Sequence, residues 1–306
     1  MYRQLTFFAA SLVCCVLTAR FAHADDAYKV VVEDGKHADI VGPNGNPLVR
    51  YVFVRDTSSP ERTFDTAKVF AHVMAPGGDE TITKGPGGKF PHHRGIFIGW
   101  NRIDHGGKRH DLWHVRNTEQ KHQDFVTTQG DEDGGTITSK IDWIGTDGKP
   151  LIKEQRTYQV VHSPEAYAVI DFVSNLTAVN GDSTLDGDPE HAGVQFRPSQ
   201  KVADNKSAKY TFHEDDIDPK KHKDLPWVAC TFRIGDQTWT VQHMNHPSNP
   251  KGAIWSAYRD YGRFGPFPKF KIADGDTKTL KFRFRVTKGE APSRSELAKQ
   301  YEDFAK

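Results

Sequence analysis

The sequence predicts an all-β protein, a large two-sheet β-sandwich with one short helix at its C-terminus. Three observations lead there. The 306 residues include 19 Phe, 9 Tyr, 6 Trp and 26 Gly, an aromatic-rich and turn-rich mixture unlike that of a helical bundle. Short segments of period-two alternation follow one another, separated by clusters of Gly, Pro, Asn and Asp. No fixed-period repeat and no hydrophilic linker divides the chain, so about fifteen to eighteen strands share one core, which suits two packed sheets better than a small closed barrel.

In chain order, Tyr28 to Glu33 alternates, Asp34-Gly35 turns, and Ala38 to Val41 resumes the extended rhythm. Residues 42–47 (Gly-Pro-Asn-Gly-Asn-Pro) form a turn by composition, Leu48 to Val54 is a strand, and Lys68 to Met74 is another. The loop from Ala75 to Phe90 is long enough to suggest a functional role. Residues 101–124 are the least regular and carry His105, His110, His114 and His122. Thr136 to Ile144 and Leu151 to Val161 flank Thr146-Asp147-Gly148-Lys149, a hairpin signal. Ala166 to Val173 is a near-continuous apolar strand; Trp227 to Ile234 and Gln237 to His243 pair around Gly235-Asp236; Leu280 to Val286 alternates with Lys281, Arg283 and Arg285. Ser293 to Phe304 is the one expected helix, because Glu296 follows Ser293 at capping-box spacing.

The N-terminus has a different character. Arg3 precedes an apolar stretch from Leu5 to Leu17, and Ala22-His23-Ala24 has the small-residue spacing of a signal-peptidase site. Residues 1–24 are therefore expected to be a cleaved secretory signal and residues 25–306 a single domain, periplasmic or secreted. The stretch is short for a membrane span, so no membrane partner is expected after cleavage. Cys14 and Cys15 fall in this segment, which leaves Cys230 alone, unable to form an internal disulfide and set in an apolar run that predicts burial. Basic and acidic residues number 41 and 40 and are interspersed, so nucleic acid is not an expected partner. Serine-hydrolase elbows, P-loops and dinucleotide fingerprints are absent from the sequence.

The chemistry concentrates around residues 91–100, Pro-His-His-Arg-Gly-Ile-Phe-Ile-Gly-Trp. In extended chain, His92, Arg94, Ile96, Ile98 and Trp100 share one face, and His93, Gly95, Phe97 and Gly99 the other. The two glycines keep the second face low, as a strand needs where a ligand or another backbone approaches. Four further places carry plausible site residues: Asp111-Leu112-Trp113-His114; residues 186–191 followed by Arg197; residues 243–250, including His246 and Asn249; and residues 258–264, including Arg259. Together they offer imidazoles, carboxylates, guanidinium forks and tryptophans, the groups that stack on a sugar ring, bind its hydroxyls and exchange its protons. No cofactor is expected, although a divalent metal held by His92, His93 and His246 with a carboxylate is chemically reasonable.

In order, Pro91-His92-His93-Arg94, Asp111-Leu112-Trp113, Gly187 to Arg197, His246 to Pro250, and Arg259-Asp260-Tyr261-Gly262 resemble the DUF6807 family over essentially the whole mature chain. Members are often labelled "methane oxygenase PmoA", a label at odds with a chain that has no span beyond its signal. The resemblance implies a galactose-mutarotase-like supersandwich. It points to His92, His93, Arg94, Glu190, His246 and Arg259 as pocket residues. Many members carry a small residue where His191 stands, so no role is assigned to His191. The resulting expectation is a carbohydrate-active enzyme acting by hydrolysis, β-elimination or epimerisation. His92, His93, Glu190 and His246 would transfer protons, and Arg94, Trp100, Asp111, Trp113, Arg197, Asn249 and Arg259 would hold the substrate. The alternatives are a non-catalytic glycan-binding sandwich and a metal-dependent oxidoreductase, as the label would suggest.

Overall fold

Alternating side chains need two surfaces to bury against, and the chain supplies two antiparallel sheets. The computed structural model describes residues 27–188 and 190–306; the expected signal at residues 1–24 lies outside the described residues. The first sheet orders six strands: Lys29–Glu33, His37–Val41, Pro47–Val52, Phe70–Val73, Ile96–Ile98 and Val194–Phe196. The second orders eight: Lys209–Phe212, Trp227–Ile234, Gln237–Asn245, Thr277–Lys288, Ala168–Ala178, Pro150–Val161, Gly134–Ile144 and Glu119–Gly130. Their inner faces share one apolar core containing Val49, Tyr51 and Ile96 from the first sheet and Ile137, Tyr158, Phe172 and Phe282 from the second.

Polar groups inside that core are paired across it. Tyr158 donates its hydroxyl to the Ile96 carbonyl at 3.1 Å, and Ser139 donates to the Tyr51 hydroxyl at 3.1 Å. Arg156 and Glu154, both wholly buried, lie 2.6 Å apart, and Glu154 also accepts from Trp143 and Ser174. A buried charge is tolerated only when paired and hydrogen-bonded in this way. Cys230 is buried, as its apolar run predicts.

The all-β class and the capped C-terminal helix, Arg294–Ala305, follow the sequence expectation, with Ser293 accepting the Glu296 amide. Twenty strands form among the described residues, more than expected, because residues 101–124 fold into the hairpin Ile103–His105 and Lys108–His110 and open the long strand Glu119–Gly130. Two short helices, Pro60–Asp65 and Gln200–Asn205, also appear, capped by Ser59 and Ser199. Among the described residues, no helix is long and apolar enough to cross a membrane.

A four-stranded sheet outside the sandwich sets up the site. Its order is Phe270–Ile272, Ser183–Leu185, Ile103–His105, Lys108–His110. Leu185 and His110 both pair with Ile103, so the chain leaves both neighbouring strands at the same end. One exit runs into Asp111 and the other into residues 186–191.

Candidate functional site

Each of those exits carries an aspartate bonded to the histidine three residues on. Asp111 turns back to accept the amides of Trp113 at 3.1 Å and His114 at 2.8 Å, while its other oxygen meets His114 Nδ1 at 2.8 Å. Asp188 meets His191 Nδ1 at 2.5 Å, and Asn101 donates to its second oxygen at 2.6 Å. Both are Asp-x-x-His turns, and they face each other with imidazole centroids 4.9 Å apart. A carboxylate only accepts, so each pair places a proton on Nδ1 and leaves Nε2 as the exchanging atom. Burial raises both aspartates' pKa values, but the hydrogen bonds from His114 and from His191 and Asn101 outweigh it and hold them below the usual range.

His92 and His93 extend the row. The His92 centroid is 4.5 Å from His114 and 4.3 Å from His93. Lys68, buried beneath, donates to the Trp113 carbonyl at 2.5 Å and the His92 carbonyl at 3.3 Å, tying the two segments together. Burial, followed by the charges of Lys68 and neighbouring groups, pushes His92 down to about 2; burial and Arg263 push His93 well below the imidazole range. Both imidazoles are thus held in the neutral form, which suits accepting a proton or a hydrogen bond.

Glu190 lies at the rim. It accepts from the Tyr258 hydroxyl at 2.7 Å and pairs with Arg259, while Arg263 donates to its backbone carbonyl at 2.8 Å. Burial raises its pKa, and the Tyr258 and Arg259 bonds bring it below the ordinary value, so it is a carboxylate at neutral pH. Its φ of 107° is costly for a residue with a side chain, and such strain is held where surrounding contacts over-determine it. A cavity of about 740 Å³ opens against His114, lined also by Arg55, Phe64, Asn117 and Glu119, within the size range of small-molecule sites.

Other expected site residues are placed elsewhere. Arg94 is wholly buried and donates to the Phe64 and Asp65 carbonyls at the end of helix Pro60–Asp65, where a cation satisfies the last carbonyls. Gly95, at φ 52°, breaks the extended chain, so His92 and Arg94 do not continue the face of Ile96, Ile98 and Trp100. Trp100 is core, its indole donating to the Pro268 carbonyl at 2.9 Å. Trp113 is wholly buried as the floor beneath His93 and His191, so it offers no face for stacking on a sugar. Asn249 staples its loop to Asn245 and Lys281. His246 bonds Ser248 and packs on Phe304 of the C-terminal helix, because Pro247 turns the chain there. The metal set His92, His93 and His246 is not assembled, and among the described residues no group of three His, Cys, Asp or Glu is disposed to hold a metal ion. Arg197 is buried behind Tyr261, and Arg259 keeps its place at the rim.

The sequence places His114, Asp188, His191, Tyr258 and Arg263 within candidate segments but gives none of them a role. The signal was there: an Asp three residues before a His occurs both at 111–114 and at 188–191.

The model of the DUF6807 family, a family of unknown function, matches residues 41–302. The chain belongs to DUF6807. No curated protein matches it. Among solved structures, this DUF6807 chain is similar to one titled "Putative kojibiose phosphorylase from human microbiome", at 11% identity and TM-score 0.37 over 91% of this chain and 35% of that one. It is also similar to a heparan sulfate lyase, HepC, from Pedobacter heparinus, at 8% identity and TM-score 0.38 over 87% of this chain and 37% of that one. A GalM/aldose epimerase homologue from C. elegans shares 6% identity at TM-score 0.36 over 86% of this chain and 99% of that one. The DUF6807 chain thus spans little more than a third of the first two proteins.

Proposed function

We propose that this protein is a carbohydrate-active enzyme that moves protons on one face of a sugar. The observation that carries the reading is the facing pair of Asp-oriented imidazoles, His114 and His191. Rings 4.9 Å apart leave no room for a sugar between them, so both act from the same side. That arrangement supports β-elimination or ring opening over hydrolysis, which ordinarily uses two carboxylates flanking the bond. In elimination, one Nε2 takes a proton from carbon, that electron pair becomes the new double bond, and the C–O bond to the leaving group breaks. The departing oxygen takes the Nε2 proton of the other imidazole, which enters the step as imidazolium and leaves it neutral while the first ring becomes the imidazolium. Glu190, Tyr258 and Arg259 at the rim bind hydroxyls. Residues 1–24 support export to the periplasm or medium, and a mature N-terminus at Asp25 is the expected result of sequencing the exported protein.

The test is turnover on a panel of neutral and acidic glycosides, read by ultraviolet absorbance of unsaturated product and by new reducing ends. Asp111→Asn and Asp188→Asn should each lower turnover by about 10²–10⁴ while binding persists. A wild type that binds sugars and turns none over sinks the enzymatic reading and leaves a glycan-binding protein.

A further inference from the structure

Behind the two dyads lies a group of buried donors that the proton-transfer reading does not use. Arg197 is wholly buried; its Nη1 donates to the carbonyls of Tyr261 at 2.5 Å and Pro198 at 3.2 Å, but its Nε and Nη2 find no acceptor among the described residues. That free edge presents two parallel N–H groups, the fork that matches a carboxylate. The chain fills the same edge elsewhere: Arg50 holds Asp39 through Nε and Nη2 at 2.8 and 2.7 Å, and Arg283 holds Asp171 at 2.6 and 2.7 Å.

Two more unsatisfied groups sit beside it. His93, 3% exposed, has both ring nitrogens buried without a partner, and its ring stacks near Tyr261, the residue Arg197 also packs against. Arg263, 1% exposed, lacks an acceptor for Nε and lies over Trp113, which packs against His93. The nearby carboxylates are already engaged: Glu190 by Tyr258 and Arg259, Asp111 by His114, Asp188 by His191 and Asn101. A buried cationic donor left without a counter-charge is strongly disfavoured, because it has given up its hydration for no partner. Lys84 adds a third cationic side chain close by, and burial, followed by the charges of Arg197 and Arg94, pushes it down to about 7.

The cover over these groups is thin. Phe90 packs 5.3 Å from His93 and 5.1 Å from Tyr261, yet is itself 38% exposed and ends an exposed loop whose Gly87 and Gly88 take left-handed conformations. Phe90 is thus the exposed outer layer over His93 and Tyr261, and Tyr261 in turn lies against Arg197, so a ligand would reach the fork by displacing these two rings.

We propose that this cluster seats the carboxylate of an acidic sugar, a uronate, with the Arg197 fork taking both oxygens and His93 and Arg263 donating beside it. The proposal rests on the sugar reading above and names its substrate class. A seated carboxylate also prepares the chemistry, because neutralising it eases removal of a proton from the adjacent carbon.

Calorimetric binding of D-glucuronate, its methyl ester, D-glucose, glucose 6-sulfate and acetate separates the possibilities on the wild type alone. Glucuronate should bind at least about tenfold tighter than its methyl ester or glucose, the worth of one charged hydrogen-bonded contact. Arg197→Lys, which keeps the charge and loses the fork, should remove that preference; Phe90→Ala should retain it with faster association. Equal affinity for glucuronate and its methyl ester overturns the carboxylate seat and leaves the sugar reading standing. Tighter binding of the sulfate overturns the carboxylate assignment. Acetate binding as tightly as glucuronate, with no neutral sugar bound, keeps the anion seat and sinks the sugar reading. Binding of none of the five overturns the seat.

Discussion

Aspartate three residues before histidine is a small device with a clear cause. The Asp carboxylate folds back onto the amides and ring of the same turn, so Asp111 and His114 need nothing else from the fold to find each other. Residue type alone points instead to His92, His93, Glu190 and His246, three imidazoles and a carboxylate in polar settings. Of these, His246 is kept apart by its turn and its contact with Phe304. His246→Ala should therefore leave turnover and sugar affinity within about twofold of wild type, whereas His114→Ala should not; steady-state kinetics on whichever glycoside of the panel is turned over compares them. Arginines divide in the same manner. Arg94, Arg197 and Arg259 look alike in sequence, yet one ends a helix, one lies buried with a free fork, and one pairs at the rim. No local pattern tells these apart, because the partners are 29, 64 and 69 residues away.

At the level of elements, the site depends on a short sheet and on close backbone contact. Leu185 and His110 end beside Ile103, which delivers both Asp-x-x-His turns to the same edge. The expectation that Gly95 and Gly99 mark a close backbone approach is correct. A Cβ on Gly95 would meet the Ala71 carbonyl, and one on Gly99 would lie 2.6 Å from the Leu112 carbonyl. Leu112 stands between Asp111 and Trp113, so this packing fixes the first dyad. Gly99→Ala should cost about 1–3 kcal/mol of stability, measured by urea denaturation, and lower turnover by displacing residues 111–114. A variant as stable and active as wild type would show that the strand does not position the turn.

For the molecule as a whole, the distribution of neutral histidines sets the pH response. Burial holds His72 at about 4, His243 at about 3 and His92 at about 2, with His93 also well below the imidazole range. Each binds a proton near pH 6.5 when unfolded. A depressed folded value means that the unfolded chain holds more protons as pH falls, so this stability is complete above about pH 7 and declines below about 6.5. The lowered values of Asp111, Asp188 and Glu190 add a second stabilising contribution, present above about pH 4 and lost as pH falls through their folded values. Calorimetry should show the melting temperature dropping steadily between pH 7 and pH 5. His243→Phe, in a site already lined by Phe264, Phe282 and Phe284, should reduce the slope by up to about 1.4 kcal/mol per pH unit. A melting temperature flat from pH 7 to pH 5 would contradict the burial of these rings in their neutral form.

Period-two alternation, turn residues and the capping box are local properties, and from them the sequence by itself determined the all-β class, most strands of the large sheets and the C-terminal helix. The ordered motifs determined the family. Which imidazoles meet, which arginines face a ligand and which merely satisfy a helix end were decided only by tertiary structure. Those outcomes depend on strand order and on contacts between segments tens of residues apart, and the free energy of burying a charge is set by whatever surrounds it in space.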